Sequence, residues 1–353
     1  MKKADLIVDL QYGSTGKGLI AGVLAKLEKY DMVINANMPN AGHTYIDEEG
    51  RVMMHKVLPN GLVSPNIKHV MLGPGSIFSI EQLEKEMAHT VWCGYSHYKL
   101  IIHENACVVT GADKEWEERF MPDIGSTKQG TSAVIVKKIK RNPIDDPTVK
   151  ARLRNNGLYV CIATNAEWLK LIHKAKNILI EGAQGYSLGI NAGFYPFCTS
   201  RDCTPAKFMA DCGVPLPYLR KVIGTARLHP IRVGGNSGPC YPDQREISWE
   251  ELGQKEELTT VTKRIRRVFT WSQQQMEEAI MACRPDEVFL NFCNYSPPSV
   301  NFVIENIRAA SAKCGYVTDV RYTGWGPGHN DVRVCIQSPC GMTEEEKSHS
   351  GRA

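Results

Sequence analysis

The chain has 353 residues, a hydrophobic fraction of 42%, a charged fraction of 23% and a formal net charge of +4. This length suffices for one large α/β domain or two smaller ones, and the composition is ordinary for a globular protein. The mild positive charge argues against nucleic-acid binding and is compatible with small anionic ligands. No apolar stretch reaches the roughly 18 residues that span a membrane, and the N-terminal residues lack the apolar core of a signal peptide.

Cysteine usage points to a reducing compartment. The chain has twelve cysteines, but none forms a C-x-x-C pair and no close pair is matched by a paired histidine motif. A structural zinc site is therefore not expected. Reduced thiols in a cytoplasmic protein are the simplest interpretation.

Short apolar runs alternate with helical patterns along the chain. In chain order, strands are predicted at 6–10, 31–35, 69–72, 101–103, 158–163, 177–181, 221–225, 287–292 and 315–321. Helices are predicted at 19–28, 81–89, 163–175, 271–284 and 300–313. The alternation indicates an α/β fold with a mostly parallel central sheet flanked by helices. We expect a single domain over 1–340, with a helical lobe at about 111–150, and a polar tail over 341–353.

The first predicted strand runs into a glycine-rich turn, Gly13-Ser14-Thr15-Gly16-Lys17-Gly18. Backbone N–H groups at a strand-to-helix turn have no internal partner, and the helix dipole favours an anion there. The glycines allow a phosphate to approach closely, and Lys17 supplies a positive charge. The spacing is that of neither a Walker A motif nor a Rossmann G-x-G-x-x-G. On this motif alone, a phosphate-binding loop and a plain tight turn both remain open.

Two further strand ends carry polar loops. The run 31–35 is followed by Asn40-Ala41-Gly42-His43-Thr44, and the run 177–181 opens into Gly182-Ala183-Gln184-Gly185. Ligands of open α/β sheets bind outside the carboxyl ends of the strands. A lone loop histidine is usually a solvated side chain, but the neighbouring Asn40 and Gly42 favour a functional imidazole at His43. Such an imidazole could donate a proton to a phosphate or carbonyl oxygen.

Taken in order, these loops resemble the signature loops of the adenylosuccinate synthetase family, and further matches span nearly the whole chain. Gly125-Ser126-Thr127 is similar to the family's nucleotide-phosphate loop, and Arg141 stands at the spacing of its intersubunit arginine. The segment Tyr195-Pro196-Phe197-Cys198-Thr199 follows Gln184 at the family's interval. The segment 261–267 is similar to the aspartate-binding loop, and the segment 324–327 to the C-terminal purine-binding turn.

The family couples GTP hydrolysis to the joining of aspartate and IMP. The γ-phosphate moves to the purine 6-oxygen, and the aspartate amine then displaces it. The resemblance therefore implies an adenylosuccinate-synthetase-like, P-loop-related fold, Mg²⁺ as the cofactor and a homodimer. It also implies that His43 protonates or hydrogen-bonds the 6-oxygen, and that Arg264 and Arg266 fork onto the two aspartate carboxylates.

The resemblance assigns residues to five overlapping groups. The catalytic residues would be Ser14, Lys17, His43 and Gln184. The triphosphate site would comprise Gly13, Ser14, Thr15, Gly16, Lys17, Gly18, Gly42, His43, Thr44, Arg266, Asn294, Gly324, Gly326 and Pro327. The purine monophosphate site would comprise Ser14, Asn40, Ser126, Thr127, Arg141, Gln184, Thr199 and Arg264. The aspartate site would comprise Thr260, Val261, Thr262, Arg264 and Arg266, and Mg²⁺ would bind at Ser14 and Gly42.

Two departures from the family pattern change the expected substrates. Ser14 stands where the family has an Asp that takes a proton from purine N1, and a hydroxyl cannot act as an ordinary base near pH 7. The smaller Ser14 leaves room for a 2-amino group beside N1 and offers it an acceptor, which indicates a guanine-type substrate. The family's guanine-reading Asp falls on Asn294, and an amide suits an adenine edge better than a carboxylate does.

In both departures the chain resembles the phage branch of the family, which converts dGMP on the way to diaminopurine DNA. We therefore expect a ligase that joins L-aspartate to the 6-position of dGMP with ATP or dATP as the phosphate donor. Three other interpretations compete with this one: an ordinary adenylosuccinate synthetase, a catalytically inactive nucleotide-binding homologue and a P-loop kinase or NTPase. The residue that takes the N1 proton in place of the family Asp is left open between water, another carboxylate and the incoming aspartate.

Overall fold

A computed structural model describes residues 2–153, 160–259 and 263–335 of the chain. The strands in chain order are β1 (Ala4–Asp9), β2 (Met32–Asn35), β3 (His43–Ile46), β4 (Val52–His55), β5 (His69–Leu72), β6 (Ile77–Phe78), β7 (Lys99–His103), β8 (Cys107–Val108), β9 (Cys161–Ala163), β10 (Ile178–Glu181), β11 (Leu219–Arg227), β12 (Ile231–Arg232), β13 (Glu246–Ile247), β14 (Arg267–Phe269), β15 (Glu287–Asn291), β16 (Asp319–Gly324) and β17 (Val332–Val334). The helices are α1 (Lys17–Glu28), α2 (Ile80–Trp92), α3 (Gly111–Phe120), α4 (Thr131–Lys140), α5 (Val149–Arg152), α6 (Asn165–Lys174), α7 (Pro205–Asp211), α8 (Gln273–Cys283) and α9 (Val300–Lys313).

Ten strands of the described residues form one central sheet, in the order β17-β16-β15-β11-β1-β10-β2-β5-β7-β9. Every neighbouring pair in this sheet is parallel except β16 with β17. The predicted fold class, an α/β fold with a mostly parallel central sheet, is therefore confirmed. Within the described residues, no helix combines the length and the apolar character that crossing a membrane requires.

The central strand β1 is buried on both faces, which explains its apolar residues Leu6, Ile7 and Val8. Leu6 and Val8 belong to one hydrophobic cluster, whereas Ile7 between them belongs to the cluster on the opposite face. Side chains alternate in this way because successive residues of a strand point to opposite faces. One cluster packs under α8 and α9, and the other packs under α1. The strand is thereby fixed at the centre, and its carboxyl end presents the glycine-rich turn.

Each predicted strand and helix has a counterpart, and the differences have local causes. The last predicted strand, 315–321, begins only at Asp319 because Gly315, with φ 65°, lies in the turn that follows α9. The predicted helical segment 111–150 contains α3 and α4 and the start of α5. The tail 341–353 lies outside the described residues.

Candidate active site

Three predicted loops meet at one edge of the central sheet. They follow β1, β2 and β10, which are adjacent parallel strands, so their carboxyl ends lie side by side. A cavity of about 670 Å³ opens at this edge. Its volume lies within the range of small-molecule sites, and its position is where open α/β sheets bind ligands.

Most of the predicted site residues line this cavity. They are Gly13, Ser14, Gly16, Lys17, Gly18, Asn40, Gly42, His43, Thr44, Ser126, Thr127, Gln184, Thr199, Arg266, Asn294, Gly326 and Pro327. Thr15 lies buried behind the loop, and Gly324 packs against the side chain of Asn291. Arg141 and Arg264 are exposed and do not line the cavity. Thr260, Val261 and Thr262 lie outside the described residues.

The glycine-rich turn depends on unusual backbone conformations. Gly16 caps α1 with φ 93°, and a Cβ atom there would lie 2.1 Å from the amide nitrogen of Asn291. Ser14 and Gln184 also adopt left-handed conformations, with φ 57° and φ 58°, although neither is a glycine. Such conformations cost free energy and concentrate at ligand sites. Both residues line the cavity, and the surrounding fold holds their backbones in this unfavourable conformation.

Lys17 is held by a buried ion pair. Its Nζ lies 2.9 Å from Oδ2 of Asp9, and both side chains are almost fully buried. The other oxygen, Oδ1, accepts hydrogen bonds from the backbone N–H groups of Gln11 at 2.9 Å and Gly13 at 3.2 Å. Thr15 donates its hydroxyl to Oδ2 at 2.5 Å. Asp9 thus ties both ends of the turn together and fixes the ammonium group at the start of α1.

His43 forms a close pair with a buried carboxylate. Its Nδ1 lies 2.5 Å from Oε1 of Glu181, the last residue of β10, which is 1% exposed. The second oxygen of Glu181 accepts the backbone N–H of Asn60 at 2.7 Å. The structure places His43 at the first residue of β3 rather than in a free loop. The carboxylate orients the ring through Nδ1 and leaves Nε2 as the ring nitrogen that can act in the cavity.

A second polar network lies on the other side of Ser14. Arg266 donates from Nη1 to Oγ of Ser14 at 2.8 Å. Arg227, fully buried, donates to Glu257 at 2.6 Å and to the carbonyl oxygen of Ser14 at 3.4 Å. Burial raises the pKa of the Glu257 carboxyl, but the charge and hydrogen bonds of Arg227 outweigh that effect and lower the pKa. Glu257 is therefore ionised and a weak base.

The far end of the cavity is built by the segment between α3 and α4. Glu117 accepts the backbone N–H groups of Gly130 at 2.7 Å and Ser132 at 2.5 Å, which fixes the segment that follows Ser126 and Thr127. The hydroxyl side chains of Ser126 and Thr127 line this end and can donate hydrogen bonds to a ligand there. Among the described residues, no group of three or more His, Cys, Asp or Glu side chains could hold a metal ion.

The sequence patterns did not single out Asp9, Glu181, Arg227 or Glu257 as site residues. Asp9 and Glu181 carry the one signal that could have indicated them, because each is an acidic residue that ends its strand directly after three apolar residues. A carboxylate buried in that position needs a partner, and a basic loop residue is the natural one. No comparable signal marks Arg227 or Glu257.

The comparisons with known proteins agree with the geometry. The sequence profile of the adenylosuccinate synthetase family matches residues 6–147 and 148–294. An N6-succino-2-amino-2'-deoxyadenylate synthase from Vibrio phage phiVC8 is 54% identical over 341 residues, covering 95% of this chain and 98% of the relative. The synthase of that name from Cyanophage S-2L is 40% identical over 342 residues, covering 94% and 92%.

Two solved structures share the fold. The Cyanophage S-2L succinoaminodeoxyadenylate synthetase, described as bound to dGMP and dATP as an energy donor, superposes with a TM-score of 0.88 at 38% identity, covering 96% of each chain. The fully ligated adenylosuccinate synthetase from Plasmodium falciparum superposes with a TM-score of 0.72 at 18% identity, covering 94% of this chain and 99% of that one. The second likeness concerns the fold alone.

Proposed function

The chain belongs to the adenylosuccinate synthetase family, and from that premise we propose that it is a ligase acting on dGMP. It joins L-aspartate to the 6-position of dGMP, with ATP or dATP as the phosphate donor, and yields N6-succino-2-amino-2'-deoxyadenylate. The observation that carries the proposal is the neutral hydroxyl of Ser14 at the cavity wall. The likeness to phage synthases of this name, and to a structure bound to dGMP and dATP, supports it.

Ser14 suits a guanine ring for reasons of size and hydrogen bonding. Its side chain opens to the cavity, and its Oγ accepts one hydrogen bond from Arg266. A hydroxyl oxygen has a second lone pair, which can accept from a 2-amino group. A carboxylate at this position would fill the space beside purine C2. The same wall therefore accepts the 2-amino group of dGMP, which IMP lacks.

The reaction has two steps, and the cavity residues supply a role in each. First, the γ-phosphoryl group leaves the donor and bonds to the 6-oxygen of dGMP, while Lys17 and the N-terminus of α1 stabilise its charge. Next, the aspartate amine attacks C6 and the phosphorylated oxygen leaves as inorganic phosphate. His43, held by Glu181 at 2.5 Å, donates a hydrogen bond or a proton from Nε2 to that oxygen. Gln184 supplies an amide to the purine from the opposite loop.

Two carboxylates of the described residues line the cavity, those of Glu117 and Glu257. Neither is suited to take the proton from N1 of the purine. Glu117 already accepts two backbone N–H groups, and Glu257 is held by Arg227 with a lowered pKa. Water or the incoming aspartate remains as the acceptor of the N1 proton.

Mg²⁺ fits the part of the cavity where the phosphate donor would bind. Magnesium prefers oxygen ligands and is commonly held by substrate phosphates, waters and few protein groups. The carbonyl of Gly42 lies at the cavity wall and offers such an oxygen, whereas the hydroxyl of Ser14 can bind the ion only when it does not accept from both Arg266 and the 2-amino group. When bound, the ion would neutralise charge on the phosphates of the donor. The aspartate substrate would bind at Arg266, which lines the cavity, and at the segment 260–262.

A homodimer is the assembly that this site favours. Arg141 follows the last residue of α4 as its C-cap and is an exposed cation outside its own cavity, as expected of a residue that reaches the substrate phosphate of the partner subunit. Exposed apolar side chains lie nearby in sequence, including Ile139 at 68% and Ile144 at 93% exposure. A chain that sediments as a monomer under assay conditions would contradict this assignment.

The enzyme would act in the host cytoplasm, where its nucleotide substrates are found.

Product formation with single components omitted tests the proposed activity. We expect N6-succino-2-amino-2'-deoxyadenylate and one equivalent of phosphate from dGMP, L-aspartate, ATP and Mg²⁺, and none when any one of them is left out. A chain that binds these nucleotides but forms no product would be an inactive homologue. The intact pairs of Lys17 with Asp9 and His43 with Glu181 argue against that alternative.

The choice of phosphate donor is tested by Asn294. We expect ATP or dATP to be preferred over GTP by roughly tenfold or more, because a lost charged hydrogen bond typically costs about 1.5–3 kcal/mol. Asn294→Asp restores the carboxylate and should shift the preference towards GTP in kcat/KM measurements. Asn301→Asp, on the exposed face of α9, is the matched control and should leave the preference unchanged. Strict dependence of the unmodified enzyme on GTP would refute the donor assignment.

A further inference from the structure

A buried carboxylate on α2 anchors a stretch of backbone that belongs to no helix or strand. Glu86 is 3% exposed, and its oxygens accept the N–H groups of three consecutive residues, Lys56 at 2.7 Å, Val57 at 3.0 Å and Leu58 at 2.8 Å. Gln82, one turn earlier on α2, donates its side-chain amide to the same carboxylate at 2.8 Å. Burial raises the pKa of the Glu86 carboxyl, and these donors partly offset that effect.

The anchored backbone, the segment 56–60, joins β4 to the residue that holds Glu181. It begins after His55, which pairs in register with His43 on the neighbouring strand β3. It ends at Asn60, whose backbone N–H donates to Oε2 of Glu181 at 2.7 Å. Oε1 of that carboxylate lies 2.5 Å from Nδ1 of His43. The contacts therefore form a closed circle that runs from His43 through the segment and Glu181 back to His43.

The segment has little space in which to move. Asn35 donates from Nδ2 to the carbonyl oxygen of Val57 at 2.8 Å, so the middle of the segment is also held from a second side. At its end, the side chain of Asn60 packs against the first turn of α1. A Cβ atom on Gly18 would lie 2.5 Å from Nδ2 of Asn60 and 2.9 Å from Cβ of His43. Asn60 and His43 therefore meet the same point of α1, and a shift of the segment would reach the histidine.

We propose that Glu86 is a positioning residue for His43 and acts through the segment 56–60 and Glu181. The inference rests on the proposed function, in which His43 acts on the 6-oxygen. Glu86 does not line the cavity and so does not touch substrate. It fixes the N–H group of Asn60, which in turn fixes the carboxylate that orients the imidazole. Such support matters because a displacement of about 1 Å can lower a rate by as much as 10²-fold.

Turnover of Glu86→Gln, measured alone and combined with Glu181→Gln in the full chain, tests this path. The amide keeps the size of the side chain but turns N–H donors towards backbone N–H groups, which loosens the segment. We expect kcat to fall by roughly threefold to tenfold, with little change in KM for dGMP and ATP. In the Glu181→Gln background the same substitution should cost little more, because residues of one contact network are not additive. Glu84→Gln, at an exposed position of α2, is the matched control and should leave kcat unchanged.

The NMR signals of the His43 ring give a second measurement that needs no turnover. Spectra of the substrate-free full chain report the surroundings of this imidazole, and His43→Ala assigns its signals. We expect Glu86→Gln to move the His43 signals in the same direction as Glu181→Gln does, and Glu84→Gln to leave them in place. Unmoved signals or an unchanged kcat would show that the segment keeps its place without Glu86. Full additivity with Glu181→Gln would show that Glu86 acts by another path, and either result would overturn the proposal.

These outcomes are distinct from a failure of the proposed ligase activity. A chain that forms no product but whose His43 signals move in Glu86→Gln retains the positioning path and refutes the ligase assignment. A chain that forms the product and loses kcat equally in both backgrounds refutes the path and retains the ligase. If Glu86→Gln does not fold, Glu86→Asp, which keeps the charge and shortens the side chain by one methylene group, decides between the same outcomes.

Discussion

Replacing His43 with alanine should lower kcat by roughly 10²-fold or more, with little change in dGMP affinity. The reason is that its Nε2 would act on the 6-oxygen mainly as charge develops there in the transition state. The carboxylate of Glu181 at 2.5 Å orients the ring for that task. Steady-state kinetics and isothermal titration with dGMP measure the two effects separately.

Two companion variants identify the origin of that loss. Glu181→Gln removes the negative charge behind the imidazole and keeps its size, so we expect a smaller loss of kcat, on the order of tenfold. His97→Ala removes an exposed histidine outside the cavity and should have no effect. A folded His43→Ala enzyme with near-normal turnover would show that the proton comes from elsewhere.

Ser14→Asp should impair the use of dGMP, and by more than Ser14→Ala does. The carboxylate would crowd the 2-amino group, and it would also attract Arg266, whose Nη1 lies 2.8 Å from the present hydroxyl. An ion pair there would draw Arg266 away from the aspartate substrate. We therefore expect a higher KM for both dGMP and L-aspartate, measured by varying each substrate at saturating levels of the others.

The alanine variant separates size from hydrogen bonding. Ser14→Ala leaves room for the 2-amino group but removes its acceptor, which typically costs about 0.5–1.5 kcal/mol for a neutral hydrogen bond. IMP has no 2-amino group, so Ser14→Asp should disfavour it less than it disfavours dGMP. If Ser14→Asp left dGMP turnover intact, the link between this position and the 2-amino group would be wrong.

Much of the architecture was predictable because its causes are local. Strands such as β1 and β10 are buried on both faces and therefore contain consecutive apolar residues, Leu6 to Val8 and Ile178 to Ile180. Helices such as α6 begin with a capping residue, Thr164, whose side chain accepts a backbone N–H. The loops that line the cavity follow such strands, and in a parallel sheet the loops at the carboxyl ends must share one edge. Lys17, His43 and Gln184 are therefore expected at one edge of the sheet from the sequence alone.

The partners of those residues depend on strand order, which the patterns do not specify. Glu181 meets His43 because β10 lies between β1 and β2 in the sheet, although 138 positions separate the two residues. The hydrogen bond from Asn60 to Glu181 likewise joins two residues that lie 121 positions apart in the sequence. The resemblance to a known family indicated the ligands but not these supports. Long-range pairing of this kind has no signature in a single sequence.

The most direct measurement is a competition in which the unmodified enzyme receives equal concentrations of dGMP and IMP, with L-aspartate, ATP and Mg²⁺. Mass spectrometry of the two succinylated products gives the ratio of kcat/KM for the competing substrates. The neutral hydroxyl at Ser14 predicts that the product of dGMP predominates and that the IMP product is minor. Equal or greater formation of the IMP product would contradict the assignment of this chain to dGMP.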